Sequence, residues 1–502
     1  MYKFVLLILD SYKGVCLTLF KSILYRLLNN ESKIKKYQAR YEEQKDNLKS
    51  SYAIYKEMKN FILQSKEWVN SKEFKEKYID IKHPYPPLLN PNSVDYDKIS
   101  AKLAWELNLP LPPNYDFIFF SNGSSATVLS ILFLEQSSVR HIIGYAPKDI
   151  YLAYYDMLRQ PSKQKTCLFF WSASANTKLP YFNENPKHFL YSLSKKVPML
   201  YIARDPIGRL KHYLNHLGGD KYDTTPLMKR FNLTCKDYEK LFYKPTYVNG
   251  KHFPDFTTFE KANSLNFAIS QSFIFDSILE HFKNNPSFIH CVEFNDLKPD
   301  NVISTLETVT HTFNLNQPQN KDIFLNRINR NCGGITQLPS ILYAHPEDLK
   351  HTTNKEDLTS LDKKGGFSFI ITMPQCITDE EKDFVDITSE IEKDLIIDDT
   401  HIFVIIKKQE LDSVKQNTTL YNTCITYLKD YINALKKYTQ EINNNLISES
   451  QILNYLREHK QARIAIKKML DSELNYIKTH HPTFIQKWQY YLEFEKMCIE
   501  FD

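Results

Sequence analysis

Long apolar runs are missing from this chain of 502 residues. No stretch approaches the roughly 18 to 20 consecutive apolar residues that cross a bilayer. Near the start, the apolar run from Phe4 to Leu9 is interrupted by Asp10, Ser11 and Lys13. It is too short for a secretory signal, and no small-x-small cleavage site follows. Glycine is scarce, at 11 residues. The motif G-x-x-x-x-G-K-[ST] is absent, so no Walker A loop is present. The eight cysteines lie far apart, with no C-x-x-C pair and no Cys/His cluster at zinc spacing,. No metal site is expected, and a reducing, cytoplasmic compartment fits. A strong charge bias is also missing: the net charge is +5, too mild to imply a nucleic-acid partner,. Abundant Lys, Asn, Ile, Tyr and Phe read as the codon bias of an AT-rich bacterial genome.

What is present is an alternation. Between about residues 110 and 340, apolar strand-like runs at Phe117 to Phe120, His141 to Gly144, Thr166 to Trp171, Met199 to Ala203 and Phe288 to Phe294 are separated by amphipathic stretches. This predicts an α/β fold, a parallel sheet with helices on both faces, with ligands beyond the carboxyl ends of the strands. Residues 1 to 95 read as a helical extension closed by the proline-rich His83 to Pro91, residues 96 to 340 as the α/β domain, and 341 to 502 as an α+β region ending in helices,. Strands are expected there at Phe367 to Thr372 and Ile402 to Ile406. Within residues 1 to 29, Leu17, Phe20, Leu24 and Leu28 share one helical face, with Lys13, Lys21 and Arg26 largely elsewhere,. Such a helix either packs on the protein's own core or lies peripherally on an anionic inner-membrane surface.

Three segments carry the chemistry. In the first, Phe117 to Leu129, a strand runs into Asn122-Gly123-Ser124-Ser125-Ala126-Thr127 and then a helix. Small residues let backbone N–H groups approach phosphate oxygens, and a helix N-terminus favours the anion; Ser and Asn before a helix also serve as ordinary caps. In the second, Leu200 to Tyr213, a strand ends at Arg204-Asp205-Pro206. Asp205 suits a cap for a helix opened by Pro206, while Arg204 suits either a carboxylate partner or a two-pronged grip on phosphate. The third is Phe288 to Pro299, with Glu293-Phe294-Asn295-Asp296-Leu297.

In this order the segments resemble the sulfotransferases, relatives of the P-loop kinases whose donor is PAPS, the phosphoadenosine carrier of activated sulfate. The resemblance spans about residues 110 to 335. It implies that the turn amides of Gly123, Ser124 and Ser125, with the Ser124 and Thr127 hydroxyls, hold the 5′-phosphosulfate, and that Arg204 and His212 clamp the 3′-phosphate. Gly123 stands where the family has lysine, Ser125 where it has glycine, and His212 where it has serine. Arg327, Arg330, Gly333 and Gly334 resemble the family's late basic, glycine-containing loop. Sulfuryl transfer also needs a base and a cationic stabiliser. Thr177-Lys178-Leu179-Pro180 is the nearest counterpart of the family's histidine-bearing segment, making Lys178 the candidate stabiliser and His188 or Asp149 candidate bases. The resemblance implies a nucleotide donor and a glycan or glycolipid acceptor.

The whole chain, above all Lys487 to Cys498, also resembles a bacterial family of uncharacterised proteins sometimes labelled sugar transferases. This adds a glycosyltransferase in surface-glycan synthesis as an alternative, although no D-x-D motif for a metal-bound nucleotide sugar is expected and Asp398-Asp399 reads as a turn before a strand. A non-catalytic binding protein that retains the fold is the third reading.

Overall fold

The structure, a computed structural model, describes residues 64–144, 146–172, 186–217, 229–242, 244–257, 273–282, 286–328, 338–350, 365–377 and 383–501. The amphipathic segment within residues 1 to 29 lies outside them, as do Lys178 and Arg330.

Four strands, β1 (Phe117–Ser121), β2 (Cys167–Trp171), β3 (Met199–Ala203) and β5 (Ile289–Glu293), form a parallel sheet in the order β2-β1-β3-β5. Helices cover both faces, which explains why these strands read as continuous apolar runs. Along β1 the side chains alternate between the two layers. Ile118 and Phe120 enter one core with Tyr151, Tyr154 and Leu210, whereas Phe117 and Phe119 enter the other with Leu129, Phe133, Leu306 and Phe313,. The second layer is built on the helices Thr127–Gln136 and Val302–Phe313.

A second sheet has the order β4-β6-β7-β11-β8. Its strands are β4 (Lys229–Asn232), β6 (Ser340–Ala344), β7 (Phe367–Thr372), β8 (Phe384–Asp386) and β11 (Phe403–Lys407), and only the β4–β6 pair is parallel. The short strands β9 (Ile396–Ile397) and β10 (Thr400–His401) pair with each other. The 27-residue helix Thr418–Asn444 packs its apolar stripe, Leu420, Cys424, Leu428, Tyr431 and Leu435, into the core beneath this sheet,.

The two cores do not follow the sequence division at residue 340. β4 is drawn from the earlier half into the second sheet. In the other direction, Ile452, Leu456, Ile466, Leu470, Trp488 and Phe494 return to the core of the first sheet. Polar bonds pin this return. Asn215 exchanges two hydrogen bonds with the Ile447 backbone (2.8 and 2.9 Å), Lys211 pairs with Glu449 (3.0 Å), and Trp488 Nε1 donates to Glu293 (3.1 Å).

The expected strand at His141 to Gly144 is not formed. Arg140 makes one isolated bridge to Thr166, and the Tyr154 hydroxyl accepts from Ile142 N (3.1 Å) and shares its proton between the Ile142 and Cys167 carbonyls (3.0 Å each), standing between this segment and β2 where a strand would pair,. No described helix is long and apolar enough to cross a membrane.

Candidate functional site

β1 and β3 are parallel neighbours with Phe120 opposite Tyr201, so three residues further on Gly123 comes level with Arg204. The register brings the first two segments together at the carboxyl edge of the sheet. Arg204 Nη1 donates to the Ser124 carbonyl (2.6 Å), and its guanidinium stacks 3.9 Å from the Phe294 ring centroid,. Part of Arg204 is therefore spent on shaping the turn. Gly208 lies against it, a Cβ built there falling 3.4 Å from Arg204 Nε, at the edge of ordinary van der Waals contact.

The turn itself is unusual in its backbone. Ser124 (φ 67°) and Ala126 (φ 54°) both adopt the left-handed conformation without being glycine,. Such alternation makes successive N–H groups converge into a concavity suited to an anion. The helix Thr127–Gln136 that follows has no side-chain cap at its N-terminus. Among the described residues, the amides of Ser124, Ser125, Ala126 and Thr127 have no acceptor. The Ser125 hydroxyl is also without a partner, in a residue only 1% exposed. Thr127 is anchored instead, its hydroxyl 2.7 Å from that of Ser121, and Gly123 N donates to Ser172 Oγ (3.3 Å).

Beneath the turn lies a buried polar network. Asn122, fully buried, accepts from Tyr201 OH (2.8 Å) and Arg209 Nη1 (3.1 Å) and donates to the Ile274 carbonyl (3.1 Å). Arg209 Nη2 also donates to Tyr201 OH (3.1 Å). Arg209, 1% exposed, thus fixes the root of the turn from the helix Pro206–Leu214, a role that its surface-like neighbours Lys211 and His212 disguised in the sequence. Asp205 caps that helix through Ile207 N (2.8 Å) and accepts from Tyr491 N (3.3 Å); burial raises its carboxyl pKa despite these bonds.

His212 belongs to the same edge. Burial holds its imidazole pKa well below the ordinary value, and the positive charges of Arg204, Arg327 and Lys211, together with His216, add to the effect,. It is therefore neutral at pH 7, set among cations. Arg327 is itself paired with Asp398 (2.7 Å).

The candidate bases fare differently. His188 is 5% exposed and lies between Trp105 (ring centroids 3.8 Å apart) and Tyr85 (4.4 Å, stacked). Burial, with Lys148 and His83 nearby, pushes its pKa down to about 3. Its surroundings are those of a core aromatic residue and not of a proton acceptor for a substrate hydroxyl. Asp149 sits exposed in the first turn of the helix Pro147–Leu158, and Lys178 and Arg330 lie outside the described residues. One acidic triplet that the sequence reading passed over, Asp95-Tyr96-Asp97, has the D-x-D form associated with metal-bound nucleotides. Asp95 accepts from Asp97 N (3.1 Å) and pairs with Lys98 (2.8 Å), which accounts for it as a local turn. Among the described residues no group of His, Cys, Asp and Glu is placed to hold a metal ion.

A family model described as a protein of unknown function (DUF2972) matches residues 291–501. The matched stretch begins inside β5 and takes in the later strands of the second sheet and the helices that return to the first. The turn and Arg204 precede it. No curated protein and no solved structure matches the chain.

Proposed function

We propose that the chain is a transferase that grips the phosphate end of a nucleotide donor at the Asn122-to-Thr127 turn and acts on a hydroxyl of a carbohydrate or glycolipid, with PAPS as donor. The observation that carries this reading is the run of four amides without acceptors, Ser124 to Thr127, at the start of a ten-residue helix and beside the unpartnered Ser125 hydroxyl. A helix N-terminus of this kind stabilises negative charge through both its amides and its dipole. Arg204, held by the turn and by Phe294, adds full positive charge at the same edge. These groups fit the phosphosulfate of PAPS, which supplies the sulfuryl group when bound. Gly123 in place of the family's lysine leaves the amides and Arg204 to carry the charge.

Calorimetry of the full chain against PAP, PAPS, UDP-sugars and CMP-sugars tests the proposal. Binding of a 3′-phosphorylated adenine nucleotide is expected, weakened by about 2 to 4 kcal/mol in Arg204→Ala because its phosphate partner is left unpaired. Binding of UDP- or CMP-sugars alone points to the glycosyltransferase reading. A second reading, phosphate binding without catalysis, is favoured by the seat of His188 in the aromatic core; PAPS binding with no turnover on any glycan acceptor supports it. The segment within residues 1 to 29 is proposed to contact a membrane surface peripherally.

A further inference from the structure

Where the outer helix of the first sheet meets the second sheet, a cleft of about 570 Å3 opens between Leu132 and Gln136 on one side and His401 and Phe403 on the other. Its volume lies within the range of about 300 to 1,000 Å3 typical of small-molecule sites. We infer that this cleft binds a neutral, polyhydroxylated ligand, a saccharide of one or two residues.

The chemistry of the walls favours this class. Among the described residues no Lys or Arg lines the cleft, and Asp322 does, so an anion is disfavoured,. The side-chain amide nitrogens of Gln136 and Asn320 offer donors and the Asp322 carboxylate offers acceptors to sugar hydroxyls, while the amide oxygens of Asn320 and Asn326 are held in place by Asp322 N (3.0 Å) and His401 N (3.4 Å),. Leu132 and Phe403 supply apolar surface against which the C–H face of a sugar ring packs. Among the described residues neither the Asp322 carboxylate nor the His401 ring has a side-chain partner, whereas Asn326 is oriented by its bond to the Asp322 carbonyl (3.2 Å) and Gln136 Oε1 by Asn320 N (3.0 Å).

The position fits an acceptor. Leu132 and Gln136 lie on the helix whose first turn begins the phosphate cradle, about 7 and 14 Å along its axis from Thr127 at 1.5 Å per residue. Asn326 is followed by Arg327, which lies within electrostatic reach of His212, as Arg204 does. The cleft thus flanks the later turns of the helix whose first turn carries the cradle. Assigning the saccharide as the acceptor rests on the transferase reading; the binding itself does not.

The test is saturation-transfer NMR on the full chain, without nucleotide, using glucose, galactose, mannose, N-acetylglucosamine and their disaccharides. Binding of at least one sugar is expected, weakened about tenfold or more in both Asp322→Ala and His401→Ala, two exposed positions whose loss leaves the core intact. Absence of any sugar signal at tens of millimolar, or binding that survives both substitutions, overturns the inference. Sugar binding in a chain that binds none of the nucleotides keeps the cleft and removes the donor reading; nucleotide binding with no sugar binding does the reverse.

Discussion

At the scale of single residues, the same residue type is used in opposite ways within one molecule. His188 is packed as a core aromatic, while His212 stands neutral among cations at the sheet edge. The first of these makes a prediction about acid. In the folded chain His188 stays neutral down to a pKa of about 3, and in the unfolded chain it titrates near 6.5. Between those values the unfolded state binds the extra proton, so stability is full above about pH 6.5 and falls as pH drops, by about 1.4 kcal/mol per unit at full titration. His188→Phe, which keeps a ring between Trp105 and Tyr85, is expected to remove that part of the slope. Urea unfolding of both proteins at pH 7.5 and pH 5 measures it, and parallel losses in the two would show that His188 does not titrate as described. Arg204 was legible as a cation at a strand end, and Arg209 only as one more basic position in the helix that follows. That one would be buried beneath the turn and the other spent partly on a carbonyl was not, because either arrangement is compatible with the same spacing.

At the scale of elements, the turn after β1 depends on two left-handed residues that are not glycine. Ala126→Gly should leave stability nearly unchanged, since glycine takes this conformation without steric cost but loses more chain entropy. Ala126→Val should cost about 1 to 2 kcal/mol, because a β-branched side chain clashes with the carbonyl that follows it there. It should also weaken nucleotide binding by distorting the amides. Equilibrium unfolding and calorimetry on the two variants separate these effects, and equal behaviour of the pair would mean the turn relaxes to another geometry in solution. The strands β1, β2 and β3 were legible because each is a buried apolar run, and β7 because its mostly apolar Phe367–Thr372 is half-buried in the second sheet. β4 and β6 were not: Lys229-Arg230-Phe231-Asn232 carries no such run, and its partner Ser340–Ala344 lies far along the chain, so that pairing is invisible to any local pattern. His141 to Gly144 misled for the converse reason, an apolar stretch whose backbone is satisfied by a tyrosine hydroxyl.

At the scale of the whole molecule, the parallel sheet with helices on both faces was legible from the alternation, whereas the return of the last helices to the first sheet was not. Nothing in their amphipathic pattern names the surface they cover. Removing residues 446 to 502 takes Ile452, Leu456, Leu470, Trp488 and Phe494 out of the first core. It also leaves Glu293, fully buried, without its Trp488 bond. A chain ending at 445 is therefore expected to be insoluble or to bind hydrophobic dye without a cooperative melt. A truncated protein with a sharp, wild-type-like melting transition would refute this. If residues 1 to 29 lie on a membrane surface, deleting them should have the opposite character, leaving the melting temperature unchanged and abolishing sedimentation with anionic liposomes. Unfolding of that deletion would instead assign the helix to the protein's own core.

The bond between Trp488 and Glu293 spans 195 residues of chain. On a ribosome adding about 5 to 20 residues per second, the interval between emergence of β5 and arrival of the tryptophan is about 10 to 40 seconds. Throughout that time the parallel sheet is outside the exit tunnel with one apolar layer unfinished and the Glu293 carboxylate still hydrated. Nascent chains stalled before Trp488 are therefore expected to expose an apolar face until the last helices close over the sheet,.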